Sequence, residues 1–292
     1  MRQSMQWLAT GILVLAPFAT PAVQPYLAAD KVEGGDLSVA MALVESKLTA
    51  AGFTVVGRHR PKGVEAGTVV VTDPDLLAAI REIGGSAIIT APIRIGVQKN
   101  GTVSTINPEY WWRAFAGDNY PRLAKAEAAV DERLHKALNT GVPFGGEVSA
   151  EQLPRYHYML GMERFADRAL IAQYSGFDQA LKIVQGNLDK GIGGTAKVYE
   201  VVLPDAKLAV IGFAQNDPER GEGWWVNRLG GADHIAALPW EVFIVDGKIY
   251  ALYGRFRTAL AWPTLGMGQF MTIMHHPDAT LRMAKDIAGA GN

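Results

Sequence analysis

Apolar side chains fall at helical spacing over Ala40, Leu43, Val44 and Leu48, and again over Ala180, Ile183, Val184 and Leu188. That period predicts one amphipathic helix in each half of the chain. Glycines follow both stretches, at Gly52 and at Gly191, Gly193 and Gly194, where a helix C-terminus favours them. The period then drops to two. Phe53 to Arg58 and Thr68 to Thr72 read as a strand pair, and Ala196 to Leu203 with Leu208 to Phe213 as its counterpart. Alternation resumes at Ile93, Ile95, Val97 and Val103, and at Val242, Ile244, Ile249 and Ala251. Asn100-Gly101 and Asp246-Gly247 interrupt these two runs, and both dipeptides suit a type I′ hairpin turn with positive φ at each central residue.

The two hairpin regions align without a gap. "GGSAIITAPIRIGVQKNGTVSTIN" (Gly84 to Asn107) matches "GGADHIAALPWEVFIVDGKIYALY" (Gly230 to Tyr253), with Gly84-Gly85, Ile89, Ala91 and Gly101 repeated at Gly230-Gly231, Ile235, Ala237 and Gly247. Between strand pair and hairpin, the first copy has a helix over Asp73 to Ile83, with Asp73 as N-cap and Pro74 in the first turn. The second copy has the Gly- and charge-rich "QNDPERGEGWWVNRLGG" there. Helices over Tyr120 to Leu138 and Pro277 to Ile287 close the copies. The fold class is therefore α+β: two tandem β-α-β-β-(α)-β-β-α domains, antiparallel sheets with helices packed on one face, forming an intramolecular pseudo-dimer. The expected boundaries are 30–140 for the first domain, 141–168 for a linker and joining helix (Gln152 to Arg168), and 169–292 for the second.

The N-terminus adds an address. Arg2 is the only charge before Asp30, Trp7 to Val23 is almost wholly apolar, and Leu27-Ala28-Ala29 offers a small-residue cleavage site. This is the pattern of a secretory signal peptide over residues 1–29, so a periplasmic or secreted protein is expected; a retained N-terminal tether is the alternative. The chain has 292 residues, a formal net charge of -1 and no cysteine. Near-neutral charge removes the electrostatic basis for nucleic-acid binding. Absent cysteine excludes disulfides, thiolate metal sites and a cysteine nucleophile.

Residues 68–108, "TVVVTDPDLLAAIREIGGSAIITAPIRIGVQKNGTVSTINP", resemble the DUF302 family: a strand, a "DP" helix, an apolar hairpin strand, a glycine turn and a closing Asn107-Pro108. With the helix Leu37 to Ala51, the resemblance spans about Lys31 to Phe115, and the second half fits as a degenerate copy with Tyr253-Gly254 at the closing position. The resemblance implies a small, often dimeric α+β domain. It implies no catalytic role.

Chemistry-bearing residues are few. There is no G-x-S-x-G, H-E-x-x-H, Walker A or G-x-G-x-x-G motif in strand–helix context, so an enzyme is not the expected class. "NPEYWWRAF" supplies Tyr110, Trp111, Trp112 and Arg113, and "GEGWWVNR" supplies Trp224, Trp225 and Arg228. Aromatics beside arginine line pockets for flat or anionic ligands, or build interfaces. Neighbours on a regular element diverge, so one tryptophan of each pair is expected in the core and the other at a site. These residues predict a groove between the domains for a small molecule or a protein partner. "MTIMHHP" places Met271 and His275 on one helix face, and His157 with Met159 and Met162 follow the same pattern upstream. Such Met/His sets ligate copper or haem iron, which makes a metal- or haem-handling redox protein the alternative. "RHRP" at Arg58 to Pro61 reads as a charged surface turn.

Overall fold

The computed structural model describes residues 21–290. The first half runs β1 (Ala22–Val23), β2 (Tyr26–Ala29), α1 (Leu37–Ala50), β3 (Thr54–His59), β4 (Ala66–Thr72), α2 (Pro74–Ile83), β5 (Ile93–Gln98), β6 (Val103–Ile106), α3 (Pro108–Ala116) and α4 (Ala124–Leu138). Short strands β7 (Pro143–Phe144) and β8 (Val148–Ser149) lead across. The second half runs β9 (Ala169–Gln173), α5 (Phe177–Asp189), β10 (Thr195–Leu203), β11 (Leu208–Gln215), α6 (Glu222–Leu229), β12 (Trp240–Val245), β13 (Lys248–Ala251), α7 (Gly254–Ala261), α8 (Met267–Met271) and α9 (His276–Ile287).

The fold is mixed α+β and its sheets are antiparallel. One sheet of eleven strands has the order β7-β2-β6-β5-β4-β3-β10-β11-β12-β13-β9, and β1 pairs with β8 in a small second sheet. Inward from β2, which lies next to the edge strand β7, and from the opposite edge strand β9, the order is the same: β2-β6-β5-β4-β3 on one side, β9-β13-β12-β11-β10 on the other. The halves join where β3 meets β10, with Gly57 opposite Tyr199. Gly57 has no room for a side chain, since a Cβ there lies 2.3 Å from the Val198 carbonyl oxygen.

Alternating side chains divide between two layers. In the second half, Ala209, Ile211, Val242, Ile244 and Ile249 pack outward under α5 and α9, whose Phe177, Val184, Met283 and Ile287 complete a separate core. In the first half α1 covers β3 to β5, and α4 lies over α1 and α2. On the inner face the halves exchange segments. The 3-10 stretch Gly231–Ala237 packs on β4, β5 and β6, and the 3-10 stretch Gly85–Thr90 packs on β11 and β12. Thr68 Oγ1 donates to the Ile235 carbonyl oxygen at 2.9 Å, fixing one of these clasps.

Several expectations need correction. Asp73 does cap α2, accepting from the amides of Asp75 and Leu76 at 2.9 and 3.0 Å. Neither hairpin turn, however, takes positive φ at both central residues: it falls on Gly101 (83°) in one and Asp246 (53°) in the other. Gly101 occupies a three-residue connection closed by the Gln98 amide donating to Thr102, whereas β12 and β13 join through two residues. The Gly-rich stretch of the second half contains a helix, α6. The joining helix is absent. Pro154 opens a short 3-10 turn and Gly161 adopts φ 85°, which ends helical propagation, so Gln152 to Arg168 is held mainly by Tyr156 and Tyr158 hydroxyls donating to the carbonyls of Ala259 and Leu265.

The expected signal peptide covers residues 1–29, of which 1–20 lie outside the described residues; the described part, residues 21–29, carries β1 and β2. Tyr26 is wholly buried, its hydroxyl donates to the Ala261 carbonyl at 2.8 Å, and β2 pairs with β6 along its full length. Cleavage after Ala29 would remove β2 from the sheet. Among the described residues no helix is long and apolar enough to cross a membrane.

Candidate functional site

The first aromatic run is interior. Residues Tyr110, Trp111 and Trp112 lie on α3, which is enclosed by Gly85–Thr90, Gly117–Arg122, Leu153–Arg155 and α4, so both neighbouring indoles are buried. The expectation that one of them reaches a site is corrected by that enclosure: only Glu109, Arg113 and Ala116 lie on the partly exposed face of α3. Tyr110 donates to the Leu260 carbonyl at 2.9 Å and Trp111 to the Pro25 carbonyl at 2.8 Å, tying α3 to α7 and to the chain entering β2. Arg113 turns away to Glu109 at 2.7 Å and lies over the Tyr120 ring.

Two other arginines meet these aromatics. Arg94 on β5 and Arg257 on α7 both bond the carboxylate of Glu241 on β12, Arg257 Nε at 3.0 Å, and all three side chains are buried. Burial alone raises the Glu241 carboxyl, but the guanidiniums of Arg257 and Arg94 outweigh it and hold the group below the ordinary carboxylate range. The Arg257 guanidinium sits 4.8 Å from the Trp111 ring and 5.9 Å from Trp240, so indole faces partly offset its burial. Trp240 in turn lies 5.8 Å from Trp225. The two aromatic runs thus belong to one buried cluster, closed by charges from both halves.

Trp224 and Arg228 behave otherwise. Trp224 is half-buried, the Arg228 guanidinium stacks 4.5 Å above its ring, and the indole opens onto a groove of about 630 Å³. Its walls are Lys62 and Gly63 from the first half and Gln215 to Pro218, Gly223, Trp224 and Asn227 from the second. Asn227 Nδ2 donates across it to the Gly63 carbonyl at 3.0 Å. A Cβ on Gly223 lies 1.9 Å from the Lys62 carbonyl oxygen, and one on Gly221 lies 2.2 Å from that of Gln215. The glycines flanking Glu222 therefore let α6 back directly onto both chain segments.

Glu222 points inward from that turn. His59, on β3 of the first half, meets it at 2.6 Å, and both side chains are buried. The Gln215 amide donates to the same carboxylate oxygen at 3.2 Å, while the other oxygen has no protein partner. Thr280 Oγ1 donates to Gln215 Oε1 at 2.9 Å and lies 3.3 Å from His276 Nδ1. His276 is stacked on Trp225 at 4.4 Å. Burial pushes His276 down to about 3, so its ring is neutral. A polar chain thus runs from the groove floor to the aromatic cluster. Sequence reading took His59 for part of a surface turn and had no signal for Glu222, because its partner stands 163 positions away.

The expected metal ligands do not assemble. Met271 and His275 are exposed around the turn after α8, whereas His157 lines a separate depression with Arg155, Tyr158 and Arg164. Among the described residues, no group of three His, Cys, Asp or Glu side chains is placed to hold a metal ion. The methionines that do converge are Met159, Met162 and Met267.

No family model matches the chain, and no curated protein or solved structure matches it.

Proposed function

We propose that the chain is an exported, non-enzymatic binding protein, built from two copies of one DUF302-like domain, that takes a planar small molecule in the groove beside Trp224. The observation that carries this reading is the half-open Trp224–Arg228 stack at a groove lined by both halves. A flat ring packs against the part of the Trp224–Arg228 stack that lines the groove, while Lys62, Asp217 and the amides of Asn216 and Asn227 offer opposite charges and hydrogen bonds to polar edges. The buried His59–Glu222 pair holds the floor rigid, and binding is pre-organised.

Duplication is supported by equivalent placements. The amide of Val32 donates to the Gly101 carbonyl at 3.0 Å, and that of Tyr174 donates to the Gly247 carbonyl at 2.8 Å: the hairpin turn receives the chain that follows β2 in one half and β9 in the other. Arg94 and Glu241 are the second residues of the corresponding strands β5 and β12, and they pair across the two halves. Trp111 and Arg257 are the fourth residues of α3 and α7, and they stack on each other. Export rests on the apolar N-terminal pattern of residues 1–29.

Fluorescence and thermal-shift titrations of the intact chain with planar heteroaromatics, adenine and indole-3-acetate among them, test the reading. Saturable binding that Trp224→Ala weakens at least fivefold, the worth of about 1 kcal/mol of ring contact, supports it. Binding indifferent to that substitution, or none, contradicts it.

A further inference from the structure

The methionines among the described residues divide sharply. Met41 and Met283 belong to the core, 3% and 5% exposed, whereas Met159, Met267, Met271 and Met274 stand between 45% and 52% exposed. Met267 and Met271 bound α8, while Met159 and half-buried Met162 belong to the joining segment. These two groups meet. Met159 and Met162 line one depression with Met267 and Phe270 of α8, Leu265 ahead of it and Arg255 of α7. The Met162 amide donates to the Met159 carbonyl at 3.0 Å and Gly161 takes φ 85°, so a tight turn carries both thioethers to α8. Other fastenings of this turn are few. The Tyr156 and Tyr158 hydroxyls donate to the carbonyls of Ala259 and Leu265, and Glu163 pairs with Arg255 at 2.6 Å on the surface, where such pairs contribute little. Tyr156 and Phe165 pack on Phe256 at either end. Between them the apolar contact is made chiefly by Met159 and Met162.

The chain has no cysteine, so thioethers are its only sulfur nucleophiles. Hydrogen peroxide oxidises an exposed thioether without a cofactor. The sulfur lone pair attacks one peroxide oxygen, the S–O bond forms as the O–O bond breaks, and the departing hydroxide takes the proton from the transferred oxygen and leaves as water. The sulfoxide carries a polar oxygen where the thioether was apolar. Arg255 is the charged donor in the lining, and Glu163 already holds it, so water outside the depression satisfies the new oxygen better than the lining does. We propose that Met159, Met162 and Met267 form a reversible oxidation site, and that their conversion to sulfoxides by peroxide releases the turn at residues 157–162 from α7 and α8.

Peroxide oxidation of the intact chain, followed by peptide mass mapping and amide hydrogen exchange, tests this. Met159 and Met267 should each gain one oxygen well before Met41 and Met283, with Met162 following as the turn opens. Exchange at residues 157–162 should then rise about fivefold, and return to its starting rate after treatment with both epimer-specific sulfoxide reductases and a dithiol. A chain combining Met159→Leu, Met162→Leu and Met267→Leu keeps the apolar volume. It should still oxidise at Met271 and Met274 and show no such rise. Core methionines oxidised as fast as exposed ones, unchanged exchange in the oxidised chain, a rise that survives the leucine replacements, or one that the reductases leave in place overturns the proposal.

Discussion

His59 Nε2 lies 2.6 Å from Glu222 Oε2, and the two side chains come from opposite halves of the chain to meet in the interior. Breaking a buried pair by removing one member strands the other in a low-dielectric site. Glu222→Ala should therefore cost about 3–5 kcal/mol of unfolding free energy. The double variant with His59→Ala should cost less than the sum of the singles, because the stranded partner is gone. Urea denaturation of the four proteins measures this; strict additivity contradicts it.

Glu241 holds two guanidiniums. Glu241→Gln leaves Arg94 and Arg257 both charged and buried, and should be destabilised more than Arg94→Met, which leaves a neutralised Glu241–Arg257 pair. Chemical denaturation at pH 7 compares the two variants.

Two histidines set the acid limit. Burial pushes His276 down to about 3 and His234 down to about 4. In the unfolded chain both take up a proton near 6.5, so the unfolded state binds more protons as pH falls. Stability is lost progressively from about pH 6.5 toward pH 3–4. His276→Gln should flatten that slope, as read from urea midpoints between pH 7 and 4.

Two carboxyls on α4 act with the opposite sign. Burial pushes Glu127 up to about 7 and Asp131 up to about 6. Their protonated forms favour the fold, so this contribution is complete below the ordinary carboxyl value and fades as pH rises through 6–7. Glu127→Gln should raise the melting temperature at pH 8 and change it little at pH 4.

Gly223 sets how closely the halves approach. Gly223→Ala forces a methyl into the Lys62 carbonyl, and should cost about 1–3 kcal/mol while widening the groove. Thermal melting and probe affinity should fall together.

Local period made the helices, strand pairs and hairpins legible, and the two copies of the hairpin exposed the repeated order of elements. What escaped depended on distant partners. β2 was hidden because Tyr26–Ala29 is as apolar as a leader, and only its pairing with β6 distinguishes it. Trp111 and Trp112 read as one core and one site residue, since nothing local says that α3 is enclosed except along Glu109, Arg113 and Ala116. His59 stood between two arginines and looked solvated. Trp224 beside Trp225 did divide as alternation demands, one half-open and one buried.

The groove reading turns on which indole meets a ligand, and fluorine NMR of the 5-fluorotryptophan-labelled chain, with its seven tryptophans assigned by single substitutions, measures that directly. On titration with a planar heteroaromatic the Trp224 resonance should shift and saturate while those of Trp111, Trp112 and Trp225 stay fixed. A still Trp224 signal, or equal movement of Trp111, Trp112 and Trp225, contradicts a site in that groove.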